Sequence, residues 1–151
     1  MSTQTANRID RMFAARRADG RKAMIYYLTV GYPTVAATEE AIDALAEAGA
    51  DLIELGVPFS DPIADGPTIQ QASHVALENG LKLDDVFALA GRLRARHPDL
   101  PLLLFTAYNL VFHMGESTFV ARACEAGVDG LLVPDLPPEE AGDLRRLTRE
   151  A

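Results

Sequence analysis

Cysteine, tryptophan and long apolar runs are scarce or absent in this sequence. Its 151 residues include no Trp and one Cys, so an internal disulfide is impossible and a disulfide-stapled scaffold is excluded. No stretch approaches the ~20 apolar residues that a membrane-spanning helix needs. A single cysteine is typical of a reducing compartment, so we expect a cytoplasmic protein. We expect Cys124 itself to be a small buried residue on a helix.

Basic residues are outnumbered, with 14 Lys and Arg against 22 Asp and Glu and a net charge of -8. Nucleic acids and anionic membranes are therefore disfavoured as partners, because phosphate binding needs a basic surface. The first 22 residues are the exception, and we interpret their basic side chains as a solvent-exposed helix face: Arg8, Arg11, Arg16, Arg17, Arg21 and Lys22.

Several catalytic and binding motifs are missing as well. His74, His97 and His113 lack metal-ligand spacing and neighbouring cysteines, so we expect no metal site. Neither GxGxxG nor GxxxxGK[ST] is present, which argues against a nucleotide loop. Ser60 lies in no GxSxG motif, so a hydrolase of that type is disfavoured.

Short apolar runs alternate with segments of helical periodicity. The pattern predicts an amino-terminal helix over 5–18, strands at 23–30, 52–55, 102–107 and 130–133, and helices at 39–47, 68–79, 86–96, 117–124 and after Pro138. We expect Ser117 to cap the helix that runs to Cys124. The alternation predicts a parallel α/β sheet in one domain, 1–151, with residues 1–20 as a capping helix.

A short repeat occurs at two helix-to-strand junctions. Residues 47–53 read EAGADLI and residues 125–131 read EAGVDGL, and in each a helix ends at Gly and leads into a strand. Any α/β protein can reuse such a junction, so this repeat alone does not distinguish a repeated structural unit from coincidence.

Glu54 is the unusual residue of the second strand. A carboxylate in an apolar strand costs several kcal/mol when it is ionised and unpaired. In a barrel, side chains alternate between the interior and the helical layer. If Ile53 and Leu55 pack outward in such a fold, Glu54 points to the interior near its mouth, where a partly buried carboxyl group suits proton transfer. The alternative is a buried Arg or Lys partner, but no basic residue lies in the other predicted strands. The pattern favours a catalytic role for Glu54.

Asp65 lies in the loop 56–67, which Pro58, Pro62 and Pro67 stiffen. Asp-Gly followed by Pro also forms ordinary tight turns, so a turn and a functional role both stay open. A loop with restricted freedom would help to hold two carboxylates across one pocket.

The segment LIELGVPFSDPIADGPTIQQAS resembles the signature of the tryptophan synthase alpha chain family. TVGYP after strand one, YNLVF after strand three and VPDLP after strand four follow in the family's order, so the resemblance covers nearly the whole chain. It implies a (β/α)8 TIM barrel, of which this chain spans an amino-terminal helix and about the first four β/α units.

The resemblance also implies a lyase of tryptophan biosynthesis, which cleaves indole-3-glycerol phosphate to indole and glyceraldehyde 3-phosphate. Glu54 falls on the family's catalytic acid and base, and Asp65 on the carboxylate that stabilises the indole nitrogen. No cofactor is expected in this chain, since pyridoxal phosphate is expected only in the partner beta subunit. Tyr27, Phe105 and Asp135 fall near the substrate, whereas Pro58, Asp61 and Asn109 fall where the family meets that subunit.

Two departures from the family pattern are visible. Ala107 stands where an aromatic residue is frequent, so one wall of the indole pocket should be more open. A (β/α)8 barrel usually has about 250 residues, and the half with the phosphate site and the mobile loop lies beyond these four units. We therefore expect the chain alone to be inactive or weakly active, and to pair, aggregate or belong to a longer protein.

Two other interpretations compete with the lyase. A catalytically inactive half barrel could retain only the surface that binds the beta subunit. A complete flavodoxin-like domain would need a phosphate-binding or acidic site after strand one, which Thr29 to Pro33 does not offer.

Overall fold

Helices and strands alternate in the computed structural model, which describes residues 7–61 and 65–151. The strands are β1 Ile25–Thr29, β2 Leu52–Gly56, β3 Leu102–Phe105 and β4 Gly130–Leu132. The helices are α1 Arg8–Ala18, α2 Val35–Glu47, α3 Pro67–Glu78, α4 Leu83–Arg96, α5 Tyr108–Met114, α6 Glu116–Glu125 and α7 Gly142–Glu150. No helix in the described ranges is long and apolar enough to cross a membrane.

The four strands form one parallel sheet in the order β1-β2-β3-β4. Tyr27 pairs with Glu54, Leu55 pairs with Leu104, and Leu104 pairs with Leu131. Each strand therefore lies beside its neighbour in sequence, and the helices between them form the crossover connections that parallel strands require. The predicted α/β architecture is confirmed.

The core lies between the sheet and the helices. Ile53 and Leu55 on β2 are fully buried on the face that the helices cover, which we call the helix face. Fully buried side chains of the helices pack against it, among them Ile42, Leu89, Leu93 and Phe119. Each such side chain contributes about 1.5–3 kcal/mol by leaving water. The expectation that Ile53 and Leu55 point away from Glu54 is confirmed.

The opposite face of the sheet, which we call the site face, carries Tyr27, Glu54 and Phe105, since side chains alternate along a strand. At the amino-terminal end of the strands on this face, Ile25 of β1 is 43% exposed, whereas Leu52 of β2 is 2% exposed. Ile9 of α1 lies against Gly130 of β4, where an added Cβ would approach Ile9 to 3.1 Å. Gly130 thus allows α1 to lie across the amino-terminal end of β4.

The repeated junctions are structurally equivalent. The N–H of Asp51 donates to the Met24 carbonyl at 3.0 Å, and its carboxylate accepts from the Met24 N–H at 2.8 Å. The N–H of Asp129 donates to the Leu102 carbonyl at 2.8 Å, and its carboxylate accepts from the Leu102 N–H at 2.9 Å. Each aspartate therefore joins the start of its own strand to the start of a neighbouring one, so the repeat is a structural unit.

Arginines of α1 bind both junction aspartates. Arg8 lies 2.9 Å from the Asp129 carboxylate, and Arg16 lies 3.5 Å from that of Asp51. The interpretation of the basic segment as a solvent-exposed face was wrong for these two residues. Sequence periodicity could not show it, because both partners lie far away along the chain.

Arg94 completes the cluster at the amino-terminal end of β3 and β4. It contacts Asp129 at 2.6 Å and donates to the carbonyls of Gly127, His97, Pro98 and Leu100 at 2.8–3.0 Å. The Asp129 side chain is only 3% exposed. A buried carboxylate is tolerated here because two guanidinium groups and a backbone N–H bind it.

A second ion-pair cluster joins α2 to α4. Glu39 contacts Arg92 and Arg96, each at 2.7 Å. Hydrogen bonds from Arg92 are the main cause that lowers the Glu39 pKa to about 2, and burial opposes them. Because both arginine side chains are more than 40% exposed, solvent screens much of this attraction.

Three local predictions were wrong. The sequence interpretation missed α5, which follows β3 directly. Gly115, not Ser117, precedes α6, with a φ of 87° that favours glycine. Cys124 is exposed on α6 rather than buried. The limits of the capping helix 1–20 and the loop 56–67 stay predictions, and residues 1–6 and 62–64, Pro62 included, lie outside the described residues.

Asp129→Asn should lower the free energy of unfolding by about 3 kcal/mol, because it leaves Arg8 and Arg94 without their shared anion in a buried place. Asp51→Asn is the matched control, and we expect about 1 kcal/mol there, since Arg16 is 3.5 Å away. Urea unfolding followed by circular dichroism measures both. Equal losses would contradict the assignment of Asp129 as the stronger junction.

Glu39→Gln should lower the free energy of unfolding by about 1 kcal/mol at pH 7, after allowance for solvent screening. The Glu39 pKa is about 2 in the folded chain, below its usual value of 4.5, so the stabilisation is present above pH 4.5 and disappears as the pH falls towards 2. Urea midpoints of both proteins between pH 7 and 3 test this. A difference that stays constant over that range would refute the ion-pair origin.

Candidate functional site

A cavity of about 320 Å³ lies where the strands end, within the usual size range of small-molecule sites. We call it the strand-end cavity. Its walls come from β1 and β3 and from the segments after β2, β3 and β4, including Tyr27, Phe59, Asp65, Phe105, Ala107 and Asp135. The carboxyl ends of parallel strands are the usual place for binding and catalytic groups in this class of fold.

Glu54 lies on the site face of β2, beside Tyr27, and the described residues that line the strand-end cavity do not include it. Its side chain is half-buried, between the fully buried Ile53 and Leu55, and its register neighbours are Tyr27 and Leu103. Within residues 7–61 and 65–151, no hydrogen bond or ion pair involves its carboxylate, and residues 1–6 and 62–64 contain no Arg or Lys. The alternative of a buried cation as its partner is therefore wrong.

Asp65 lies immediately before α3, which begins at Pro67. Its backbone carbonyl accepts a hydrogen bond from the Gln70 side chain at 2.9 Å, and its side chain contributes to the cavity wall. The carboxylate lies near the amino terminus of α3, where the helix dipole favours a negative charge. Asp65 therefore belongs to a turn that begins a helix and also to the cavity wall, so the two interpretations left open by the sequence are compatible.

Tyr27 links the two carboxyl groups. Burial is the main cause that raises the pKa of its phenol, a hydrogen bond with the Thr29 side chain lowers it, and the negative charges of Asp65 and Glu54 raise it further. The geometry agrees, since Glu54 is the register partner of Tyr27 and Asp65 lines the same cavity as Tyr27. Glu54 and Asp65 therefore lie near the same side chain of the cavity wall.

The Tyr27 ring lies across the end of β2. An added Cβ at Gly56 would collide with the hydroxyl and the ring of Tyr27. On the other side the ring meets Phe105 of β3 edge to face, with centroids 5.5 Å apart and an interplanar angle of 81°. Glycine at 56 is thus needed for close approach, and Tyr27 and Phe105 form an aromatic wall, as the predicted pocket requires.

Asp135 has a structural contact in addition to its place in the cavity wall. Its carboxylate accepts the backbone N–H of Tyr108, the first residue of α5, at 2.9 and 3.1 Å. Because Ala107 precedes α5 without a capping side chain, Asp135 satisfies that helix end from the loop after β4. The sequence did not show this role, since its partner belonged to a helix that had been missed.

A sequence model of the tryptophan synthase alpha chain family matches residues 13–151. The chain belongs to this family. The tryptophan synthase alpha chain fold explains the parallel sheet, since α1 and the four β/α units form the first half of a TIM barrel.

Relatives of known name support the assignment. The tryptophan synthase alpha chain of Burkholderia lata is 51% identical over 145 residues, which cover 96% of this chain and 54% of that protein. That of Aquifex aeolicus is 45% identical over 143 residues, which cover 95% of this chain and 55% of that protein. The chain therefore spans about half the length of the curated relatives it matches.

A solved structure shows the same arrangement. The crystal structure of the tryptophan synthase alpha subunit from Legionella pneumophila strain Paris superposes with a TM-score of 0.93 at 37% identity. The superposition covers 97% of this chain and 56% of that one. The predicted fold class, a TIM barrel of which this chain spans about the first four units, is confirmed.

The residues that the family resemblance assigned to a partner surface lie in different environments. Asp61 is exposed and accepts a hydrogen bond from the Ser60 hydroxyl at 2.8 Å, and Asn109 is exposed on α5. Pro58 is buried, so its side chain shapes the loop from inside. Phe112, also on α5, is 68% exposed. The sequence analysis did not single it out, because it did not predict the helix on whose surface Phe112 lies.

Two of the histidines considered from the sequence have carboxylate partners. His97 lies 2.7 Å from Asp43, and His74 lies 3.2 Å from Glu78, each on a helical surface. No group of His, Cys, Asp and Glu in the described part of the chain is arranged to hold a metal ion. Ala107 lines the cavity with a small side chain, and the effect of this departure on the pocket stays a prediction.

Proposed function

We propose that this chain carries the two catalytic carboxyl groups of the tryptophan synthase alpha reaction. That reaction, a carbon–carbon lyase step of tryptophan biosynthesis, cleaves indole-3-glycerol phosphate to indole and glyceraldehyde 3-phosphate. The observation that carries the proposal is geometric: Glu54 is the register partner of Tyr27 on the site face, and Tyr27 and Asp65 line the strand-end cavity. A cytoplasmic location, based on the single cysteine, stays a prediction.

Glu54 acts first as an acid and then as a base. Its carboxyl group donates a proton to indole C3, and positive charge develops on the indole nitrogen. It then takes the proton of the hydroxyl on the adjacent side-chain carbon. The carbon–carbon bond breaks, its electron pair returns to the ring, and an aldehyde is released. A partly buried carboxyl group without a cation partner is suited to hold a proton in one step and accept it in the next.

Asp65 stabilises the charge that appears on the indole nitrogen. Its carboxylate lies in the loop that begins α3, on the same cavity as Tyr27 and Phe105. A negative charge held beside a developing cation lowers the transition state more than the ground state. The aromatic side chains of Tyr27 and Phe105 give the indole ring apolar walls, and Asp135 supports the wall through α5.

The phosphate of the substrate needs a further anchor. Among the described side chains that line the cavity, none is basic. Binding energy from a remote group helps to hold a substrate at the reacting groups. We therefore propose that the chain alone turns over slowly, and that the second half of the family's barrel supplies the phosphate site.

We propose that α5 and the loop after β2 face the beta subunit, which would hold the pyridoxal phosphate. Asp61 and Asn109 are exposed there, and Phe112 adds an apolar side chain whose ring lies 6.0 Å from that of Tyr108. Exposed aromatic side chains are enriched at protein interfaces. Pro58 contributes through the course of the loop, since its side chain is buried.

Glu54→Gln should lower the rate of indole release from indole-3-glycerol phosphate by about 100-fold or more, the usual contribution of a general acid and base. Asp65→Asn should lower it as well, whereas Glu40→Gln on the exposed side of α2 is the matched control and should leave it unchanged. The released indole is extracted into an organic solvent and quantified there, because the phosphorylated substrate, which carries the same indole ring, stays in water.

Two outcomes would count against this function. A Glu54→Gln protein as active as the unsubstituted chain would refute the catalytic role of Glu54. Absence of turnover by the unsubstituted chain, together with its co-purification with a beta subunit, would select the inactive half barrel that only binds the partner.

Phe112→Asp should weaken binding to a tryptophan synthase beta subunit at least tenfold, because it places a charge in an apolar contact. Phe13→Asp is the matched control, since Phe13 is an exposed phenylalanine on α1, away from α5. Isothermal titration calorimetry measures both dissociation constants. The same loss in both variants, or in neither, would exclude α5 from the interface.

A further inference from the structure

The hydroxyl of Tyr27 is the polar end of the aromatic wall that Tyr27 and Phe105 form. The ring lies over Gly56, which has no Cβ to exclude it, and meets Phe105 edge to face at a centroid distance of 5.5 Å. The hydroxyl therefore lies over the end of β2, on the same face of the sheet as Glu54, the register partner of Tyr27. Its place does not depend on the loop that holds Asp65.

This hydroxyl is available as a donor. Burial and the charges of Asp65 and Glu54 keep the phenol pKa above its ordinary value of 10, so the group retains its proton at physiological pH. The other hydroxyl among the described lining residues, that of Thr106, is directed to the Ala107 carbonyl at 3.4 Å. The side chains of Val57, Phe59, Phe105 and Pro134 carry no donor.

A hydrogen-bond donor at the end of β2 suits one atom of the proposed substrate, the oxygen on the carbon attached to the indole ring. When Glu54 removes the proton of the hydroxyl on the carbon attached to the indole ring, negative charge develops on that oxygen. A fixed donor beside Glu54 would meet this charge without any rearrangement of the wall. Asp65 is unsuited to that position, because it carries the same sign of charge as the developing oxygen.

We propose that the Tyr27 hydroxyl donates a hydrogen bond to the side-chain oxygen of the substrate and selects ligands with a hydroxyl on the carbon attached to the indole ring. The inference rests on the proposed function, since it needs an indole in the strand-end cavity. It assigns no new covalent step, and the phenolic proton stays on Tyr27 throughout. Tyr27 then determines specificity as well as forming a wall.

Two probes that differ by one hydroxyl test the inference: indole-3-methanol and 3-methylindole. Their dissociation constants are measured by ligand fluorescence, which the protein does not obscure because it has no Trp. Tyr27→Phe keeps the ring and removes the donor. We expect it to lower the preference for indole-3-methanol over 3-methylindole by about tenfold, in line with the loss of one hydrogen bond to a ligand hydroxyl.

Tyr26→Phe is the matched control. Tyr26 is the neighbour of Tyr27 on β1 but packs against the core on the helix face, so its substitution should leave the preference unchanged. Circular dichroism of both variants verifies the fold. An equal change in the two variants would show that the effect is not specific to the cavity and would overturn the inference.

The remaining outcomes separate this inference from the proposed function. An unchanged preference in Tyr27→Phe, with both probes still bound, would overturn the role of the hydroxyl and leave Glu54 and Asp65 untouched. Equal weakening of both probes in Tyr27→Phe would mean that the hydroxyl does not distinguish a ligand with a side-chain oxygen from one without it, and would also overturn the inference. Failure of the unsubstituted chain to bind either probe at millimolar concentration would remove the indole site, and with it both proposals.

Discussion

A half-buried carboxyl group in an apolar strand, with no cation paired to it among the described residues, is the constraint on which the site depends. Glu54 lies between two fully buried residues of β2, and such a position is costly for an ionised group. The sheet register places Tyr27 next to it, and Gly56 leaves the space that the Tyr27 ring occupies. Tyr27 in this position meets Phe105 to form the aromatic wall, and both side chains line the strand-end cavity together with Asp65.

The carboxylates at the two ends of the sheet differ in whether a cation binds them. At the amino-terminal end, Asp129 is bound by Arg8, Arg94 and the Leu102 N–H, and Asp51 repeats the backbone part of that contact. At the carboxyl end, Glu54 and Asp65 have no cation among the described residues. Ion pairs stabilise the junctions of the strands, whereas unpaired carboxyl groups keep the freedom to exchange protons that catalysis requires.

The sequence predicted the parts of the fold that depend on local periodicity. Apolar runs gave all four strands, and the alternation around Glu54 gave the correct direction of Ile53 and Leu55. The errors concern contacts between distant segments. Arg8 and Arg16 were taken for solvated residues because their aspartate partners lie elsewhere in the chain, and α5 was missed because its cap, Asp135, comes from the loop after β4. Cys124 was placed inside on residue type alone, but it faces solvent.

In the candidate site, too, local sequence patterns predicted some features, and contacts between distant segments determine the others. Glu54 and Asp65 could be proposed from their positions in a strand and in a proline-rich loop, but the role of Gly56 and the second contact of Asp135 depend on three-dimensional packing.

The most direct test of the account is a crystal structure of the chain with indole. We expect the ring against Tyr27 and Phe105, its nitrogen about 3 Å from the Asp65 carboxylate and its C3 facing Glu54. Indole bound elsewhere, or Glu54 and Asp65 on opposite sides of the sheet, would contradict it.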